Sequence, residues 1–167
     1  AFPTNFIRRR LLQCRSLEEA RKLLAGLHPD LSLNYLVASG RDRDAFLAET
    51  NPMETYWISP QKGVIGHGND FVGNPRIDRF RCGKEFEERQ FRGQRLQYLL
   101  SRPAGSVTVD YLMECLADHY GYPASVCNHC PEENLSTIAS TIYCLDRGAA
   151  YICKGNPCQN SYEEYCL

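Results

Sequence analysis

The chain has 167 residues, 43% of them hydrophobic, enough for one domain with its own core or for a large piece of one. Its 19 basic and 20 acidic side chains give a net charge of -1, which argues against recruitment of nucleic acid or of an anionic membrane by bulk charge. No apolar run reaches the length of a membrane span, and Ala1-Phe2-Pro3 does not open a secretory leader, so a mature chain or a fragment is expected, with no nucleic-acid or membrane partner.

Pro3 suits a first helical turn, and Phe6, Ile7, Leu11 and Leu12 recur at helical spacing through Gln13, with Arg8 to Arg10 on the outer face. Ser16-Leu17-Glu18-Glu19 is a capping-box pattern that opens a second helix carrying Leu17, Ala20, Leu23, Leu24 and Leu27 on one face, which makes residues 1–30 a helical pair. Leu31 to Ala38 and Ala45 to Glu49 read as a hairpin turned at Ser39 to Asp42. A second pair, Tyr56 to Ile58 with Val64-Ile65, completes an antiparallel meander over residues 31–66.

Next comes Gly66-His67-Gly68-Asn69-Asp70-Phe71, where two glycines flank a histidine at a strand end and backbone can approach a ligand closely. A Gly-rich turn with Asn69 and Asp70 bonded to their own backbone is the plainer reading of the same residues. Residues 67–84, rich in Gly, Asn, Pro and Arg, are expected to form a long loop of the kind that often carries function. Helical periodicity resumes from Glu85 to Leu100. Thr108 opens another helix with Val109, Leu112, Met113, Leu116 and Tyr120 inward, giving a helical pair over residues 85–121. Thr137 to Leu145 and Ala149 to Lys154 form a closing hairpin turned at Asp146-Arg147-Gly148, and residues 136–167 end in a Tyr-rich strand. Helices, strands, helices and strands in this order predict an α+β fold with helical layers on antiparallel sheet.

Nine cysteines, six of them after Val126, together with the glycosylation pattern Asn134-Leu135-Ser136, point to the secretory pathway and to disulfides. The odd count implies a free thiol or a bridge to another chain. Cys127-Asn128-His129-Cys130 has the spacing of half a zinc site, which Cys153, Cys158 or His67 could complete. The cysteine load favours disulfides instead, and neither a metal nor another cofactor is expected. Cys127 or Cys130 with His67 or His119 would make a nucleophile and base. Nothing in the spacing of Glu49, Asp70 and Asp78 marks a carboxylate pair.

The ordered set as a whole resembles the acyl-coenzyme A:6-aminopenicillanate acyltransferase family of N-terminal-nucleophile hydrolases. Pro3 to Leu12 and Ser16 to Ala20 resemble its helical pair, Leu31 to Ala38 and Ala48-Glu49-Thr50 its following strands, and Gly66 to Phe71 its His-x-Asn-His-Phe segment. Cys127-Asn128-His129 resembles its Ile-Cys-x-His, Thr137 to Ile142 its Thr-x-x-Ser-x-Ile, and Gly155-Asn156-Pro157-Cys158 its Gly-x-Pro-Cys. The resemblance implies a four-layer αββα sandwich, of which this chain is the larger C-terminal portion. It implies a self-cleaving precursor and an N-terminal cysteine that attacks a small amide or thioester. Asn69 would donate to the oxyanion, Ser140 would stand near it, and His67, Asp70 and Phe71 would shape the pocket.

Two departures qualify this. Ala1 is no nucleophile and aligns inside the family's catalytic chain, so a companion chain of the same precursor is expected to carry the cysteine. Asp70 stands where the family has histidine. The alternative is a catalytically inactive, disulfide-rich secreted relative with a structural, storage or binding role, and a zinc-binding module is a third reading.

Overall fold

The computed structural model describes residues 3–27, 29, 31–73, 84–102, 107–130 and 135–166, with backbone alone for 84–90. It is α+β and divides into two compact units. The first contains Ala1–Ile65 and Phe71–Arg81, the second Gly66–Asp70 and Cys82–Leu167.

The first unit runs α1 (Thr4–Leu11), α2 (Leu17–Ala25), β1 (Leu33–Ser39), β2 (Asp44–Thr50) and β3 (Thr55–Ile58), with the three strands antiparallel in chain order. Ser16 caps α2 by accepting from the Glu19 amide, and the Glu19 carboxyl accepts in return from the amide of Arg15, one residue earlier than in the usual box. The Leu17 amide, also orphaned by helix geometry, donates to Asp42 in the β1–β2 turn at 2.7 Å, which fastens the hairpin tip to the start of α2.

Alternation along the strands then decides the core. Register pairs Tyr35 with Ala48 and Val37 with Phe46, and this face packs with Ile7, Ala20 and Leu24 of the helices. Fully buried Phe46 alone is worth about 1.5–3 kcal/mol of apolar burial.

Because β2 is central, its opposite face is buried as well and places Glu49 out of water. Its two carboxyl oxygens accept from the Val72 and Gly73 amides at 2.7 and 2.9 Å. Glu49 is therefore the anchor of the segment that follows Phe71. Glu49→Gln leaves one of those amides facing an NH2 group, so a loss of about 1–3 kcal/mol is expected in urea unfolding.

The sequence-based meander needs one correction. Among the described residues Val64 pairs only with Gln61, across Lys62 and Gly63 at positive φ of 52° and 79°, so a tight turn replaces the second strand pair.

The second unit contains α3 (Lys84–Leu100), α4 (Val109–Leu116), β4 (His129–Cys130), β5 (Leu135–Ser136), β6 (Ala139–Cys144), β7 (Ala149–Lys154) and β8 (Tyr162–Cys166). β4 pairs with β5, and β6, β7 and β8 form an antiparallel sheet in chain order. Thr108 caps α4 through the Tyr111 amide. This helix ends earlier than its periodicity suggests. Asp118 turns away to accept two hydrogen bonds from Arg95, which hold its carboxyl below the usual carboxylate range. Tyr120 is consequently exposed rather than inward, stacked on Phe91 with the Arg95 guanidinium over its ring.

The disulfides expected from composition do not appear among the described residues. All eight cysteines among the described residues are free thiols. Cys144 and Cys166 illustrate why. Both face Ala149, one from each neighbouring strand, so about 10 Å of sheet separates them, beyond the roughly 7 Å a disulfide can bridge. Asn134 of the glycosylation pattern, Asp78 and Cys82 lie outside the described residues. Among the described residues no helix is long and apolar enough to cross a membrane.

Candidate functional site

Asn69 is positioned by two close approaches of backbone to α3. A Cβ on Gly66 would come within 2.2 Å of the Gln97 nitrogen, and one on Gly93 within 2.6 Å of the Gly68 nitrogen. Gly93 and Gln97 are one helical turn apart, so residues 66–68 cross one face of α3 in direct main-chain contact. The Gln97 side chain adds a hydrogen bond at 2.6 Å, accepting from the Gly66 amide. These glycines are needed for space.

Beyond this crossing the chain opens onto a cavity of about 540 Å³, contained wholly within the second unit. Asn69, His67, Arg92, Asn128, Thr137 and Ser140 are among its lining residues. Asn69 is exposed, and its side-chain amide makes no hydrogen bond within the described residues. His67 Nδ1 lies 2.7 Å from the Gly68 carbonyl oxygen; because that oxygen can only accept, Nδ1 carries the proton. Asp70 and Phe71 are buried and do not line the cavity. Thus Asn69, His67 and Ser140 share one cavity lining, to which Asp70 and Phe71 do not contribute.

Ser140 owes its setting to strand register. It pairs with Cys153 of β7, which pairs with Tyr162 of β8, so the three side chains form one row on the same sheet face. Cys153 is small and fully buried, and the Tyr162 hydroxyl passes over it to donate to Ser140 Oγ at 2.7 Å. The serine proton is left available to another acceptor. Burial pushes the Tyr162 phenol up. The Tyr162→Phe variant should lose about 1 kcal/mol of stability, read as a melting temperature lower by roughly 2–4 °C. Tyr162 was not apparent as a site residue from the sequence, although hairpin register carried into the last strand aligns it with Ser140.

A second convergence lies around Cys127. Its Sγ is 3.3 Å from His129 Nε2 and 3.6 Å from Cys158 Sγ, and His119 joins the same group. Cys130 and His67, the other residues of the Cys/His reading, do not belong to it: the Cys130 amide bonds to Asn128 Oδ1, and His67 lines the cavity.

A family model described as "Acyl-coenzyme A:6-aminopenicillanic acid acyl-transferase" matches residues 1–159 of the chain. No curated protein matches it.

Proposed function

The chain belongs to the acyl-coenzyme A:6-aminopenicillanic acid acyl-transferase family, and from this membership we propose that it forms part of an N-terminal-nucleophile amide hydrolase or acyltransferase with its reaction centre at the Asn69 cavity. In this reading the two units are the larger part of a four-layer αββα sandwich. A companion chain, released from the same precursor by self-cleavage, completes it and carries the N-terminal cysteine.

The chemistry follows from the groups involved. The α-amine of the nucleophilic cysteine takes its thiol proton, and the sulfur attacks the carbonyl carbon of a small amide or thioester. The carbonyl electron pair moves onto oxygen, and an N–H of the Asn69 carboxamide donates to the oxyanion, a contribution of about 3 kcal/mol to lowering the barrier. Collapse of the intermediate expels the amine or thiol, which takes the proton held by the α-ammonium. Water or a second amine then attacks the acyl-enzyme by the same route in reverse. Ser140, its oxygen occupied by Tyr162, donates its proton to a substrate oxygen and orients the acyl group.

The observation that carries this reading is the convergence of Asn69 and Ser140, 71 positions apart in sequence, on one open cavity. It is tested by turnover of amide and thioester substrates by the matured protein with and without thiol alkylation. Turnover abolished by alkylation is expected. Unimpaired turnover after complete alkylation would reject a cysteine nucleophile, and absence of any turnover would favour an inactive binding relative.

A further inference from the structure

Three separate segments, one of them about thirty residues beyond the other two, bring four metal-ligating atoms together. His119 follows the C-terminus of α4, Cys127 and His129 lie in and just after the next loop, and Cys158 sits in the turn after β7. All four atoms lie within 4.8 Å of one another. The separations are 3.6 Å between the sulfurs, 3.2 Å between the two Nε2 atoms, and 3.3 Å from His129 Nε2 to each sulfur.

Tetrahedral zinc, with Zn–S of about 2.3 Å and Zn–N of about 2.0–2.1 Å, requires edges of about 3.8 Å between sulfurs, about 3.3 Å between nitrogens and about 3.6 Å for mixed pairs. Four of the six edges agree with this to within about 0.3 Å, and the remaining two, from His119 Nε2 to the sulfurs, are within 4.8 Å, so that His119 closes the tetrahedron by a small adjustment of its exposed side chain. We propose that His119, Cys127, His129 and Cys158 hold one zinc-type divalent cation in a closed tetrahedral site.

The simpler uses of these residues fit less well. At 3.6 Å the sulfurs are far outside bonding distance for a disulfide, which needs about 2.05 Å. A Cys–His nucleophile would need substrate to reach Cys127, which is wholly buried. A cation accounts instead for why two histidines turn the same nitrogen toward one point already occupied by two sulfurs. Binding releases the two thiol protons to solvent. Two thiolates and two neutral imidazoles then leave the site with no net charge, as a partly buried position requires.

Outer contacts support the same geometry. Asn156 Nδ2 donates to Cys127 Sγ at 3.6 Å and to the Asn128 carbonyl at 2.9 Å, in the manner of groups that orient metal ligands. The Cys127 amide donates to the Asp118 carbonyl and the His129 amide to that of Pro123, so the loop bearing two ligands is held by its own backbone. Four protein ligands leave no open position, which makes the site structural. It would staple the loop containing Asn128, part of the cavity wall, to the turn after β7.

The test uses the full chain under reducing conditions, with zinc content measured after dialysis and cobalt(II) titrated as a spectroscopic substitute. One zinc per chain is expected, together with a thiolate-to-cobalt charge-transfer band and intense tetrahedral ligand-field bands that zinc displaces. His119→Ala and Cys158→Ser, both at exposed positions, should weaken zinc binding by more than the roughly 10–100-fold expected for Asn156→Ala. Cys130→Ser should leave it unchanged. Absence of tetrahedral cobalt in the reduced chain would overturn the site, as would unaltered zinc affinity in folded Cys158→Ser or equal loss in Cys130→Ser.

Discussion

Asn69→Ala should lower turnover by the matured protein about 10²–10³-fold while leaving its melting temperature within about 1 °C of the parent. The fall in rate is the usual consequence of removing one donor aimed at a developing oxyanion, about 3–4 kcal/mol of barrier. Little stability should be lost because the Asn69 side chain is exposed and makes no hydrogen bond within the described residues. Asn69→Asp is the sharper variant. It preserves shape but replaces the donor with an ionised acceptor, so its rate should fall below that of the alanine variant. Comparable kcat values for asparagine, alanine and aspartate at this position would remove Asn69 from the oxyanion site. If the loss appears in KM alone, the residue binds substrate without preference for the transition state.

Gly66→Ala should damage both stability and rate. Its Cβ would lie 2.2 Å from the Gln97 nitrogen and 2.6 Å from the Gln97 Cα, both main-chain atoms of a helix that cannot swing aside as a side chain can. Reduced freedom of the unfolded chain favours alanine by at most about 1 kcal/mol. Relief of the overlap needs a shift of more than an ångström, and overpacking of this kind costs about 3 kcal/mol or more. A net loss of about 2 kcal/mol, or roughly 4–8 °C in melting temperature, is expected. Because Asn69 lies three residues along the same crossing, its displacement by about 1 Å should also cost about 10²-fold in rate. Gly93→Ala offers a graded comparison. Helix propensity favours alanine there by about 1 kcal/mol, and the contact with the Gly68 nitrogen is longer at 2.6 Å, so a smaller loss than in Gly66→Ala is expected in thermal unfolding.

The features legible in the sequence were those encoded locally. Ser16 and Thr108 announced α2 and α4 because a cap requires one side-chain oxygen at one fixed offset. The hairpin turned at Ser39 to Asp42 followed from alternation, and so did β6 and β7. Asn69 stood out because two glycines flank the histidine before it, although the reason for the first of them, the contact of Gly66 with Gln97 of α3, lies about thirty residues away.

What was hidden depended on convergence between distant segments. Tyr162 reaches Ser140 because Cys153 is small and the register aligns all three, a fact spread over three strands. The C-x-x-C spacing drew notice to Cys130, whereas the sulfur that meets Cys127 belongs to Cys158, 31 residues on. His119 joins them because α4 stops at Leu116 and the residue before it, Asp118, is held by Arg95. Composition suggested disulfides; the strand positions of Cys144 and Cys166 place those two sulfurs out of each other's reach.

The central claim is that the Asn69 cavity serves a nucleophile carried by a companion chain. Intact-mass spectrometry of the matured precursor, quenched during turnover of an acyl amide or thioester, tests it most directly. The expected result is two polypeptides, with the acyl mass on the N-terminal cysteine of the companion. An acyl group on any cysteine within residues 1–167, or turnover by this chain alone, would contradict it.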